Sequence, residues 1–172
     1  MIDIIAQVIG IIGIVLSVLS FQFKKRKYIM LAQALASFMF MLQFVMLGAI
    51  IAAVLDFISF LRTIIFANNA KTWARSKVWL YGFILVMIIS GILTWSDMWS
   101  ILPLIGSILS TIALWMKKER NIRLISLAVG PCWFVYNMIV GAYTGALNEV
   151  IAMTSIIIGL IRHDRKKEIK QP

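Results

Sequence analysis

Two acidic residues, Asp56 and Glu149, each lie inside a long apolar stretch. A carboxyl in such a place can hold a cation, take up and release a proton, or anchor a neighbouring helix. An ionisable group at the centre of a membrane span costs about 2.5–3.5 kcal/mol on insertion scales, so it faces protein or water rather than lipid. The residues around both carboxyls are small or polar. At helical spacing Ala52, Asp56, Ser59 and Thr63 form one stripe, and Gly141, Gly145, Asn148, Ala152 and Ser155 form another. Such stripes suit a water-accessible cavity, which is the functional reading, or a close contact in which neighbouring helices satisfy both carboxyls, which is the structural one.

A further stretch contributes Pro131, Trp133, Tyr136 and Asn137. Trp133 and Asn137 are four apart and share a helix face, with Tyr136 beside it. Pro131 removes a backbone donor and frees a carbonyl one turn earlier. In membranes such breaks sit beside cavities, which makes Pro131 a hinge candidate, although proline can also merely bend a span. Gln43 occupies the place that Tyr136 holds later in the chain. The candidate solute-contacting or proton-coupling residues are therefore Asp56, Glu149, Asn148, Asn137, Trp133, Tyr136 and Gln43. Trp and Tyr are also ordinary packing residues.

Other chemistry finds little support. The single histidine, His163, sits in a basic tail, so no span holds a histidine base or metal ligand. One Asp and one Glu without a Gly-x-Gly-Asp context do not make an aspartyl protease, and no Gly-x-x-x-x-Gly-Lys-Ser/Thr phosphate loop occurs. Cys132 is the only cysteine, so no intrachain disulfide forms, and it reads as a small apolar packing residue. No enzyme activity, cofactor or metal is expected.

The elements that must position these residues follow from composition. The chain has 172 residues, 62% hydrophobic and 14% charged, with a mean hydropathy of +0.95. Soluble domains run at roughly 45–50% apolar and about 25% charged. Seven spans of about 20 residues take about 140 and leave about 32 for loops and tails, too few for a soluble domain. Spans are expected at about 4–23, 28–47, 49–67, 78–95, 99–116, 122–140 and 143–161. The basic cluster follows the first span instead of preceding it and no small-residue cleavage site appears, so that span is expected to be retained.

Lys and Arg collect on the cytoplasmic side. With the N-terminus outside, the inner segments receive Lys24, Lys25, Arg26 and Lys27; Arg62, Lys71, Arg75 and Lys77; Lys117, Lys118, Arg120 and Arg123; and Arg162, Arg165, Lys166, Lys167 and Lys170. That is 4 + 4 + 4 + 5, all 17 basic residues, while the outer side has only Asp3 and Asp97 as charges. The net charge of +10 thus records an N-out, C-in topology and needs no nucleic acid. Anionic lipid headgroups are the partners it implies.

Shifted by 93 residues, segment 12–65 falls on 105–158 without a gap, with 14 of 54 positions identical. About one match in ten is expected from composition alone. Gly13 and Ser17 fall on Gly106 and Ser110, Gly48-Ala49 on Gly141-Ala142, and Asp56 on Glu149. Small residues one turn apart at Gly13/Ser17 and Gly106/Ser110 are helix-packing candidates. The expected fold is an all-α polytopic membrane protein of seven transmembrane helices, arranged as two parallel three-helix repeats plus a linker helix (3+1+3). Residues 1–67 are the first bundle, 68–98 the cytoplasmic loop and linker helix, 99–161 the second bundle and 162–172 the basic tail.

The stretch 102–115, Leu-Pro-Leu-Ile-Gly-Ser-Ile-Leu-Ser-Thr-Ile-Ala-Leu-Trp, resembles the fifth helix of the YgjV-type bacterial inner-membrane proteins. So does Cys132-Trp133-Phe134-Val135-Tyr136-Asn137, followed by Gly141 and Glu149. The resemblance implies the PQ-loop and SWEET-like layout and a place in the bacterial cytoplasmic membrane. SWEET-type facilitators set an asparagine from the third helix of each bundle in the substrate pocket. By that likeness Asn148 takes the role, although its counterpart is Leu55. The chain departs from the pattern in having no Pro-Gln pair at the end of helix one or five, and Phe38 where the second half has Pro131. The expected function is a small-solute transporter or facilitator with its pocket between the bundles; the alternative is a non-transporting scaffold or accessory protein. Expected partners are the bilayer and a small solute of unknown identity, with a homo-oligomer left open.

Overall fold

The apolar runs form helices, and they end where glycine, a capping side chain or a charge cluster lets the backbone turn. The computed structural model describes residues 2–20, 23, 26–68, 71–116 and 119–161, without the side chains of Arg26, Arg75 and Glu119. The pairs Lys24-Lys25 and Lys117-Lys118, and the tail from Arg162 onward with His163, lie outside the described residues. Seven α-helices are described: α1 (Ile2–Ser20), α2 (Arg26–Met46), α3 (Ile50–Ala67), α4 (Lys77–Leu93), α5 (Ile101–Trp115), α6 (Glu119–Ile139) and α7 (Tyr143–Gly159). Each end lies within about three residues of the expected span, inside the usual uncertainty of helix boundaries.

The turns after α2 and α6 are the same structure. Gly48 has φ 72° and Gly141 φ 74°, a conformation that glycine adopts without a Cβ penalty. Ala49 N donates to the Phe44 carbonyl at 2.9 Å, and Ala142 N to the Asn137 carbonyl at 2.8 Å. These bonds satisfy carbonyls that the helix end would otherwise leave open. The following residues match as well: Ala49 at φ −82°, ψ 68° and Ala142 at φ −83°, ψ 62°. Elsewhere side chains start the helices. Ser76 accepts from Val78 N ahead of α4. Asp97 accepts from Trp99 N and Ser100 N while Ser100 Oγ accepts from Asp97 N, a reciprocal cap on the short 3-10 turn Met98–Ser100 that leads into α5.

In sequence order α1 packs on α2 and α2 on α3, and likewise α5 on α6 and α6 on α7. α4 lies against α3 and α5, and the two groups meet along α3–α5 and α1–α7. Glycines set the closest approaches. A Cβ added at Gly13 would stand 3.1 Å from the Phe40 ring, and one at Gly106 would stand 2.8 Å from Trp133. Each glycine thus seats an aromatic ring from the next helix, and the two pairs are 93 residues apart. Phe44, Ile51, Leu55 and Met87 fill the centre. In lipid this close packing, with bonds between helices, holds helices together where the hydrophobic effect does not.

The outer faces are apolar: Ile4, Val8 and Ile11 on α1, Val78, Leu85 and Ile92 on α4, and Leu147, Val150 and Ile158 on α7 are all exposed. In water such continuous apolar area marks an interaction surface; here it suits lipid. Among the described residues five helices are long and apolar enough to cross a membrane: α1, α2, α3, α6, and α5 together with the turn before it. α4 and α7 have 17 residues each, at the lower limit for a span. The all-helical fold is that of a membrane protein.

Candidate functional site

Asp56 and Glu149 stand at the same distance along the chain from their glycine turns, eight residues after Gly48 and Gly141. Each lies six residues into its helix, about 9 Å of rise from Ile50 or Tyr143. Both carboxyls face a cavity of about 680 Å³ between the two groups of helices. One wall is α7, with Gly145, Asn148, Glu149, Ala152 and Ser155. Phe40 and Phe44 of α2, Asp56, Arg62 and Thr63 of α3, Ser110 of α5 and Ser126 and Trp133 of α6 complete much of the rest. The lining reaches Leu114, Arg123 and Gly159, near the C-terminal ends of α5 and α7 and the N-terminal end of α6. At the opposite end it stops at Phe44, Trp133 and Gly145.

Aromatic rings close that end. The Phe44 and Trp133 centroids lie 5.9 Å apart, Phe44 and Tyr136 6.4 Å, and Trp133 and Tyr136 6.4 Å in an edge-to-face contact. A hydrogen-bonded cluster joins α1, α2 and α7 at the same end. Gln43 Nε2 donates to Thr144 Oγ1 at 2.7 Å and to Gln7 Oε1 at 3.3 Å. Thr144 N also donates to Gln7 Oε1, and Gln7 Nε2 donates to the Gly141 carbonyl at 2.7 Å. Gly10 leaves room for this cluster, since a Cβ there would stand 2.6 Å from Gln43 Oε1.

Arg62 requires a correction to the charge map. Counted with the loop after helix three, it is instead 4% exposed, five residues before the end of α3. Its guanidinium crosses to α5, where Nη1 donates to Thr111 Oγ1 and, at 3.4 Å, to the Ser107 carbonyl, while Nη2 lies 3.4 Å from Ser110 Oγ. Nε has no partner. Asp56 lies within electrostatic range of both Arg62 and Glu149. Neither carboxyl forms an ion pair with Arg62 among the described residues, and all three residues line the cavity.

The sequence-derived candidates divide. Asp56, Glu149, Asn148 and Trp133 line the cavity. Gln43, Tyr136 and Asn137 are buried behind its wall: Gln43 in the amide cluster, Tyr136 in the aromatic closure, and Asn137 against Gly145 with Oδ1 unpartnered. Of the packing candidates, Gly13 and Gly106 seat aromatic rings, whereas Ser17 and Ser110 border the cavity. Pro131 lies on an exposed face within an α6 that continues through it. Sequence reasoning passed over Gln7 and Thr144 and the cavity roles of Arg62 and Arg123. Arg62 carried a signal, since the argument applied to Asp56 holds for any ionisable residue inside a span.

The lining contains seven pairs of positions 93 residues apart: Ser17/Ser110, Gln33/Ser126, Ala36/Val129, Phe40/Trp133, Asp56/Glu149, Arg62/Ser155 and Thr63/Ile156. Among the described residues no group of three or more His, Cys, Asp or Glu side chains is placed to hold a metal ion. No curated protein and no solved structure matches the chain. Residues 4–167 match the family model of the bacterial inner membrane protein family Imp-YgjV, and the chain belongs to that family, as a multi-pass protein of the bacterial inner membrane.

Proposed function

We propose that this protein moves a small solute across the inner membrane through the cavity between two parallel three-helix bundles, with α4 as the linker. The observation that carries the reading is the cavity itself: about 680 Å³, with ionisable side chains of both signs, between helices whose outer faces are apolar. A scaffold needs no such space, and the volume lies within the range of about 300–1,000 Å³ that small ligands occupy. The paired lining positions and the matched glycine turns support a repeat whose two halves bracket the path. Without Arg62 the basic residues number 17 − 1 = 16, all still in the segments assigned to the inner side. With the N-terminus outside, the cavity reaches toward the cytoplasm and is closed outward by Phe44, Trp133 and Tyr136 and the Gln7–Gln43–Thr144 cluster. Transport then requires one bundle to rock against the other, separating α1 from α7 and closing the inner end.

Water access tests this reading before any solute is known. Ser126→Cys, introduced beside Cys132→Ser, places a single thiol in the cavity wall. A membrane-impermeant maleimide should label it in inside-out vesicles and much more slowly in right-side-out ones. Labelling from neither side would mean a dry interface and would favour the scaffold; labelling mainly from outside would overturn the orientation.

A further inference from the structure

The cavity holds charges of both signs, sorted by depth. Asp56 and Glu149 lie toward its closed end. Arg62 lies six residues farther along α3, about 9 Å of rise, and Arg123 borders the opposite end. A solute carrying only positive charge would suit the carboxyls and meet Arg62 as a like charge; one carrying only negative charge would meet the reverse. Arg62 adds an independent observation. It is 4% exposed, borders the cavity and has an Nε–H without an acceptor among the described residues, an uncommon state for a buried donor. Carboxylate oxygens are the acceptors that a guanidinium edge binds best. On the side of the carboxyls the walls are apolar at Phe40 and Trp133.

We propose that the cavity binds a small zwitterion, its ammonium toward Asp56 and Glu149, its carboxylate toward Arg62 and an apolar substituent against Phe40 and Trp133. The proposal rests on the reading of the cavity as a solute path and names the class of solute. It differs from the cationic solute that the two carboxyls alone would favour, because a buried arginine shares their cavity.

Three probes with one side chain separate the poles: L-leucine (zwitterion), L-leucinamide (cation only) and N-acetyl-L-leucine (anion only). With the full-length protein in detergent, leucine should raise the unfolding temperature with concentration, as any ligand bound only by the folded state does. Each capped analogue loses one charge-assisted contact and should bind at least about tenfold more weakly. Arg62→Lys keeps the charge without the planar fork and should weaken leucine while sparing leucinamide. Glu149→Gln should weaken both, and it serves if the arginine variant fails to fold. Leucinamide binding as tightly as leucine removes the arginine pole and overturns the proposal. Equal binding of N-acetyl-leucine removes the acidic pole with the same result, as does the absence of a shift with all three. Uptake into proteoliposomes separates this proposal from the transport reading. Leucine that binds without being moved sinks transport and leaves the site; leucinamide that binds equally and is moved sinks the zwitterion and leaves transport.

Discussion

Replacing Arg62 by methionine asks whether the arginine serves the cavity or the fold. An arginine well inside a span costs about 2.5–3.5 kcal/mol on insertion scales. Against that cost stand one short hydrogen bond, to Thr111 Oγ1, and two contacts at 3.4 Å, to the Ser107 carbonyl and Ser110 Oγ. A hydrogen bond to a charged group contributes about 1.5–3 kcal/mol at good geometry, and 3.4 Å lies beyond the usual N–H···O range. The unpartnered Nε–H adds a cost of about 1–3 kcal/mol. The sum is near zero or unfavourable to folding.

Methionine is flexible, apolar and able to fill an irregular gap. Thr111 keeps a partner, because it still donates to the Ser107 carbonyl at 2.7 Å, and Ser110 Oγ, which borders the cavity, loses only a 3.4 Å contact. Arg62→Met should therefore unfold no more than about 1 kcal/mol below the parent, about 2–4 °C for a chain of this size, or above it, while losing leucine binding. The measurement is thermal unfolding of the full-length protein in detergent, with and without leucine. The reasoning fails if Arg62→Met unfolds 10 °C or more below the parent while Arg62→Lys unfolds beside it, since the guanidinium would then be a structural bolt between α3 and α5.

Gly48→Ala and Gly141→Ala should each destabilise by about 1 kcal/mol and by nearly the same amount: φ of 72° and 74° costs a Cβ about 1–2 kcal/mol, partly offset by the stiffer unfolded chain, and nothing lies within 4 Å of the added carbon at either site. Unfolding temperatures differing severalfold in their shifts would mean that the two turns are not equivalent. For the amide cluster, Gln43→Leu and Thr144→Val, made singly and together, should show a coupling of about 0.6–1.7 kcal/mol, the range of hydrogen bonds between membrane helices. Additive effects would remove the cluster as a latch between α2 and α7.

The helix ends were legible because local chemistry determines them: Gly48, Gly141, Ser76 and Asp97 act on backbone groups within a few residues. The acidic pair was legible because a charge inside an apolar run stands out whatever surrounds it. Arg62 was misplaced because a long side chain near a span end commonly snorkels to the interface. Whether it does depends on acceptors at Ser107, Ser110 and Thr111, 45–49 residues away in sequence. Gln43 shows the same limit. Periodicity gives the face of α2 it occupies, but its partners Gln7 and Thr144 come from α1 and α7, which only the packed fold brings together.

Matched backbone and unmatched side chains together give the cavity a direction. Asp56 and Glu149 stand six residues beyond the starts of α3 and α7, so on the proposed repeat an equivalent pair of half-sites would present two like charges and no preferred end. The positions around them have diverged: Arg62 stands opposite Ser155 in the pairing, Leu55 opposite Asn148 and Phe44 opposite Asn137. The first half thus supplies the buried cation and the second the amide beside the carboxylate, with the indole of Trp133 where the first half has the phenyl ring of Phe40. A solute with two unlike poles can then satisfy both halves in one orientation only. Reversing it would set its ammonium against Arg62 and its carboxylate against Asp56 and Glu149, two like-charge contacts. On the proposed reading, the divergence of the two halves, more than their likeness, is what would let the cavity select its ligand.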